Sequence, residues 1–338
     1  MNFGFPPALK LANLPTPVEH MRAVPELPDL PNVYIKRDDL TGSELSGNKV
    51  RKLEFALAEA AAMDARAIIT CGGIQSNHAR ATAIAAARLG LRSVLVLRGA
   101  APEESDGNVL LDRLAGAEIR FITQDEWPGV NEMMAEIARE LGATGEKAYV
   151  IPEGASYPPG VFGYIKAAQE IAEAEKALGI EFDTIVTAVG SGGTSAGLMY
   201  GKRIFGLKGS ILGINVLDTP EYFARRIAGI SEDFSRKYRE RYPGASWFKP
   251  IAASEVEIAG GYDGPAYAVP TEEGLELIRT CARRLGLFLD PAYTGKAMLG
   301  LAGEAAKGRW RKSDNVLFIH TGGIFSLFPW RRELAISP

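Results

Sequence analysis

The chain has 338 residues, 46% of them hydrophobic and 23% charged, with a net charge of −3. That length exceeds one small core and suits two domains, and the slightly acidic balance argues against the basic footprint of a nucleic-acid binder. No Lys/Arg run marks a membrane surface, and no apolar stretch approaches the roughly 20 residues that span a bilayer. The opening MNFGFPPALKLANLPTP lacks the basic start and apolar run of a targeting signal. Cys71 and Cys281 show no CxxC spacing. They read as small buried apolar groups in a reducing cytoplasm, and no metal is expected.

Short β-branched runs alternate with longer stretches of helical period. In chain order, 66–71 reads as a buried strand, 77–89 as a helix stopped by Gly90, and 93–97 as the next strand. A helix at 108–114, a strand at 118–123, a helix at 131–141 and a strand at 148–151 follow. The alternation returns with a helix at 165–178, a strand at 184–189, a helix at 195–204 and a strand at 211–216. Helices at 272–285 and 294–307 precede a last strand at 316–320. The charge-rich 232–241 (EDFSRKYRER) reads as a solvated helix face. Alternation of this kind implies βαβ units: an α/β chain whose open, twisted, mostly parallel sheets are covered by helices on both faces.

In open parallel sheets, ligands sit beyond the carboxyl ends of the strands, so the loops there carry the functional signal. In 41–54 (TGSELSGNKVRKLE), glycines flank a polar loop and a helix starts near Lys49, with Val50, Leu53 and Leu57 on its buried stripe. Lys49 and Lys52 share one face. The helix dipole disfavours an ammonium at that end and lowers the pKa of Lys49, as an imine-forming lysine requires. In 71–80 (CGGIQSNHAR), Gln75, Ser76, Asn77 and His78 line up where strand meets helix; one cap would suffice, and free amides there suit an anion. The turn GSGGTSAG (190–197) makes an anion nest at a helix start. It is no Walker A loop. It also misses the dinucleotide fingerprint, because Ser195 takes the third glycine position and no acidic residue follows about 20 positions on at a strand end. A single phosphate is the better ligand. In the tail, Thr294 of LDPAYTGK opens a helix and Thr321 of FIHTGG ends a strand; either hydroxyl can meet a ring nitrogen.

Taken together, YIKRDDLTG (34–42), SGNKVRKLE (46–54), GGIQSNHAR (72–80), GSGGTSAG (190–197), LDPAYTGKAM (289–298) and FIHTGG (318–323) resemble the fold-type II pyridoxal-phosphate enzymes. Within them they resemble the D-cysteine desulfhydrase / 1-aminocyclopropane-1-carboxylate deaminase family. The resemblance implies two domains of tryptophan synthase β-like fold, 49–161 and 1–48 with 162–338, with the active site in the cleft between them, and a homodimer. It implies pyridoxal 5′-phosphate joined to Lys49 through a carbon–nitrogen double bond. Lys52 and Ser191, Gly192, Gly193 and Thr194 match phosphate contacts, Asn77 the contact to the pyridine 3′-oxygen, and Thr294 the position of the ring-nitrogen partner; Thr321 is the alternative partner. Ser76 matches the residue beside the substrate carboxylate and leaving group. Tyr267 (in GPAYAVP) and Tyr293 match the two active-site tyrosines. Gln75, His78 and Tyr157 are expected near the small amino-acid substrate.

Deaminases of this family that open a cyclopropane ring carry glutamate where this chain has Thr294, and glutamine where it has His78. Threonine cannot supply the negative charge that keeps a ring nitrogen protonated. The pattern therefore looks more like D-cysteine desulfhydrase, with aminocyclopropane deaminase, cysteate sulfo-lyase and D-serine dehydratase-like activity as runners-up. A non-catalytic binder of pyridoxal phosphate or another phosphate ligand is the rival of another class, and it leaves the amine at Lys49 without a purpose.

Overall fold

The computed structural model describes residues 3–27 and 29–335. A short antiparallel ribbon of β1 (Val18–His20) and β2 (Asn32–Lys36) leads into helix α1 (Lys49–Ala62). The chain then alternates β3 (Ala67–Gly73), α2 (Asn77–Arg88), β4 (Arg92–Arg98), α3 (Gly107–Leu114), β5 (Glu118–Ile122), α4 (Val130–Ala143) and β6 (Ala148–Ile151). These four strands form a wholly parallel sheet in the order β5-β4-β3-β6.

After α5 (Pro158–Leu178) come β7 (Thr184–Val189), α6 (Gly193–Phe205), β8 (Ser210–Asn215), α7 (Pro220–Lys237) and β9 (Glu257–Ala259). Then follow α8 (Glu272–Leu285), α9 (Thr294–Ala306) and β10 (Asn315–Ile319). The second sheet runs β1-β2-β10-β7-β8-β9, parallel apart from β1. Its inner strands are covered on both sides, which is why TIVTAV in β7 is apolar without alternation. Period-2 geometry sends Val316 and Phe318 of β10 to one face, against Ile278, Met298 and Leu301 of α8 and α9. Leu317 and Ile319 go to the other, against Tyr164 and Ile171 of α5. Each such side chain contributes about 1.5–3 kcal/mol on burial. In the smaller sheet, Ile68 and Ile151 pack under α1 and α2, while Ile69, Cys71, Val94 and Val96 face α4.

Several limits differ from the sequence reading. Helix α5 begins at Pro158 rather than 165, because two prolines, which lack an N–H, suit a first turn whose N–H groups have no intrahelical partner. The charged stretch at 232–241 is helical only to Lys237, and Phe234 within it is buried among the aromatic core residues. Strands β1, β2 and β9, of three to five residues, are too short to show a period, and they and α7 ahead of residue 232 are absent from the sequence reading.

Candidate active site

Lys49 is the first residue of α1. Its Nζ donates to Asn48 Oδ1 at 3.0 Å and lies 5.4 Å from the centroid of the Tyr293 ring. Among the described residues no carboxylate comes within ion-pair distance of it. Desolvation draws its pKa down to about 8; Asp290 and Glu153 act against this from further away, and Arg80 adds to it. The amine shares a narrow cavity with Asn77, Ser191, Gly192, Thr194, Ser195, Tyr293 and Thr321.

The wall opposite is the turn after β7. Gly192 sits at φ +90°, a left-handed conformation that glycine reaches without strain, and it turns the chain into α6. The helical ladder begins only with Ala196 N–H to the Gly192 carbonyl, at 3.0 Å. The N–H groups ahead of it therefore head the helix as an anion site. Gly193 N–H donates to Ser156 Oγ (3.1 Å), which also meets Ser191 Oγ (2.7 Å). Lys52 Nζ reaches the same corner, donating to the Gly154 carbonyl (3.2 Å) and Ser156 Oγ (3.4 Å). Burial, then Lys49 and Arg226, push Lys52 well below an ordinary lysine. Arg226 Nε donates to the Ser191 carbonyl at 3.0 Å. Ser195 Oγ is buried on this wall without a protein partner.

On the third side, Ser76 caps α2 by accepting from Ala79 N–H at 3.2 Å. Asn77 Oδ1 accepts from Asn108 Nδ2 at 3.0 Å, so its own amide N–H groups remain for the cavity. The Tyr267 and Tyr293 hydroxyls meet at 3.0 Å. Burial raises Tyr267 to about 12 and Tyr293 well above its ordinary value, so both carry their protons at neutral pH. Tyr267 also lines a wider cleft of about 760 Å³ with Gln75, Arg98 and Trp330.

Thr294, His78, Gln75 and Tyr157 do not line the narrow cavity and are engaged with other partners, although Gln75 does line the wider cleft beside Tyr267. The Thr294 hydroxyl donates to Asp290 Oδ1 (2.6 Å) and accepts from Asp290 N–H (2.7 Å), so it is consumed in fixing the start of α9. His78 Nε2 meets Thr70 Oγ1 at 2.8 Å, under the smaller sheet, and burial lowers its pKa well below the usual value, leaving the ring neutral. Gln75 pins α3 instead, donating to the Asp106 carbonyl (3.0 Å) and accepting from Asn108 N–H (2.8 Å). The Tyr157 hydroxyl lies 2.9 Å from that of Tyr149, which donates to Glu59 on the far half of α1.

Sequence reasoning missed Asn48, Ser156, Asn108 and Asp290. Asn48 Nδ2 donates to Thr194 Oγ1 at 3.2 Å and ties the Lys49 turn to the α6 turn. Asp290 is fully buried and accepts from the N–H groups of Ala292, Tyr293 and Thr294. An Asp three residues before a Tyr-Thr helix start is a readable side-chain turn; Ser156 and Asn108 leave no such signal.

The sequence matches the family of pyridoxal-phosphate dependent enzymes over residues 9–322. It is 41% identical over 328 residues to the bifunctional D-cysteine desulfhydrase/1-aminocyclopropane-1-carboxylate deaminase, mitochondrial, of Arabidopsis thaliana, covering 94% of this chain and 78% of that protein. It is 36% identical over 333 residues to the D-cysteine desulfhydrase of Yersinia enterocolitica, covering 97% of each. The crystal structure of an ACC deaminase homologue superposes with a TM-score of 0.85 at 38% identity, covering 97% of this chain and 95% of that one. The chain belongs to the pyridoxal-phosphate dependent enzymes, in the fold-type II class that joins D-cysteine desulfhydrases and aminocyclopropane-carboxylate deaminases, and its cofactor is pyridoxal phosphate. The donor set fits that group: an amine with no carboxylate on it among the described residues, a helix start with N–H groups ahead of the ladder besides that of Gly193, an orphaned Ser195 hydroxyl, and Asn77 and Thr321 beside them. Among the described residues no helix is long and apolar enough to cross a membrane.

Proposed function

We propose that the chain removes sulfur from D-cysteine: D-cysteine and water give pyruvate, hydrogen sulfide and ammonia. The observation that carries this reading is the Lys49 amine, which among the described residues has no carboxylate partner and opens on the same cavity as the head of α6 and Tyr293. In this reading Lys49 bonds the cofactor, while Lys52 and the turn from Ser191 to Thr194 hold its phosphate. Asn77 donates to its ring oxygen, and Thr321 rather than Thr294 meets its ring nitrogen. When bound, pyridoxal phosphate supplies an electron sink for charge left at the α-carbon. Lys49 Nζ takes the α-proton as general base. Ser76 holds the substrate carboxylate, and the Tyr293 hydroxyl, braced by Tyr267, holds the proton for the departing sulfur. Met by threonine, a ring nitrogen gains no negative partner, and among the described residues no carboxylate lines the cavity. A weaker sink favours a good leaving group, and thiolate is one.

Ring opening of 1-aminocyclopropane-1-carboxylate is the second reading, favoured by the double activity in the name of the Arabidopsis relative. A panel of D-cysteine, the cyclopropane substrate, cysteate and D-serine, scored by keto-acid product, separates them. D-Cysteine should yield sulfide and pyruvate; 2-oxobutyrate from the cyclopropane substrate alone would overturn the choice of leaving group. The reading extends to two domains, 49–161 and 1–48 with 162–338, and to a cytoplasmic homodimer. The confinement of the smaller sheet's strands to residues between 67 and 151 supports that division.

A further inference from the structure

Tyr267 stands on a segment that no sheet holds. Between β9 and α8, residues 263–269 contain only an isolated bridge from Ala266 to Val269, closed by Val269 N–H on the Ala266 carbonyl at 3.2 Å. Ala268 is left at φ +58°. This segment forms one wall of the wide cleft, and its tyrosine ring lies so close on Gly73 that a Cβ there would come within 2.6 Å of it. A loop of this kind needs a fastening from outside itself.

That fastening is Lys296, on α9 one turn after Tyr293. Its side chain is buried. Its Nζ donates to the Ala266 carbonyl at 2.8 Å, to the Asp263 carbonyl, and to the Val216 carbonyl at 3.2 Å just beyond the end of β8. An ammonium has three donors and no acceptor, and here three carbonyl oxygens take all three. Two belong to the loop and one to the sheet. Hydrogen bonds from a charged donor are about twice as strong as neutral ones. A buried ammonium without them would be costly, so the contact constrains the lysine and the loop together.

We propose that Lys296 is a positioning residue for Tyr267: its ammonium clamps the 263–269 loop to the end of β8 and so holds the Tyr267 hydroxyl on that of Tyr293. The proposal rests on the reading of both tyrosines as site residues. α9 thereby has Tyr293 at its N-cap and the fastening of Tyr267 within its first turn, so one rigid element sets both hydroxyls.

The test uses the holoenzyme with Lys296→Met, Tyr267→Phe and the double variant. Hydrogen exchange of the amides at 263–269 should rise about tenfold or more in Lys296→Met, while α6 and the cofactor absorption band keep their wild-type behaviour. Turnover by Lys296→Met should fall about as far as by Tyr267→Phe, and the double variant should be no worse than the poorer single one, since the two act through one hydroxyl. Unchanged exchange in the loop would overturn the clamp, and losses that multiply in the double variant would overturn its action through Tyr267. Full turnover by Tyr267→Phe would sink the reading of that tyrosine, a result distinct from the exchange measurement. Should Lys296→Met fail to fold, Lys296→Gln, which keeps two donors, serves for the same measurements with smaller changes of the same sign.

Discussion

Helix α1 carries two groups of basic side chains within its first turn, and they are treated in opposite ways. Arg51 is almost wholly buried and fully paired: Nε and Nη2 donate to Asp38 at 2.9 and 2.8 Å, and Nη1 and Nη2 to Glu170 at 2.8 Å each. Lys36 joins it on Glu170 at 2.6 Å, and the Tyr164 hydroxyl donates to Asp38 at 2.6 Å. Burial pushes both carboxyls up, but Arg51 and Lys36 outweigh it and hold them below the ordinary carboxylate range. Two cations face two anions, so the cluster closes on itself and ties β2, α1 and α5 together. Lys49 and Lys52, on the same turn, have no carboxylate partner among the described residues, and both are drawn below an ordinary lysine. In α1 the buried cation with matched anions is scaffold, while Lys49 and Lys52, left without them beside the head of α6, are held ready for an outside group.

The comparison breaks most visibly at Lys49 itself. Lys49→Ala should lower turnover about 10³-fold or more, with thermal unfolding close to wild type; a stability loss equal to that of Arg51→Ala would erase the distinction. Arg51→Ala should cost about 3–5 kcal/mol in denaturant unfolding, because it strands two buried carboxylates. With both carboxyls depressed in the folded state, the cluster's contribution is present above their unfolded pKa near 4 and is lost as pH falls through the folded values. The wild-type advantage over Arg51→Ala should therefore shrink only in acid. Tyr293→Phe should cost about 10- to 100-fold in kcat while cofactor binding is retained; equal loss of both would make the hydroxyl structural. In protein stripped of cofactor, the rate at which Lys49 reacts with an aldehyde should rise about tenfold between pH 7 and 9, since the amine that titrates near 8 must be neutral to attack. A flat profile would contradict the desolvated site. The smallest effect is expected at Tyr157→Phe, about 1 kcal/mol or less of stability and no change in turnover, because its hydroxyl bonds Tyr149 beside Glu59.

The βαβ alternation is legible in the sequence because inner parallel strands are apolar throughout and helices keep their own period; proline hides the start of α5, and α7 ahead of residue 232 and the short edge strand β9 are not read at all. The Lys49 and 190–194 loops are legible for a similar reason, since glycine and small residues before a helix have few other uses. The expected residues that do not line the narrow cavity share one feature. Thr294, His78, Gln75 and Tyr157 are polar residues beside the right loops, and adjacency along the chain does not say which way a side chain points. Thr70, Asn108 and Tyr149 claim three of them across distances of 8, 33 and 8 residues, and only the folded chain reveals those partners, whereas Asp290 takes Thr294 through a local turn four residues long. Lys296 is hidden for the same reason, as its partners are backbone carbonyls up to 80 residues away.

Borohydride reduction of the holoenzyme, followed by peptide mapping, tests the central assignment most directly. The phosphopyridoxyl mass should appear on Lys49 and on no other lysine. A label on Lys52 or Lys296, or none at all, would contradict it.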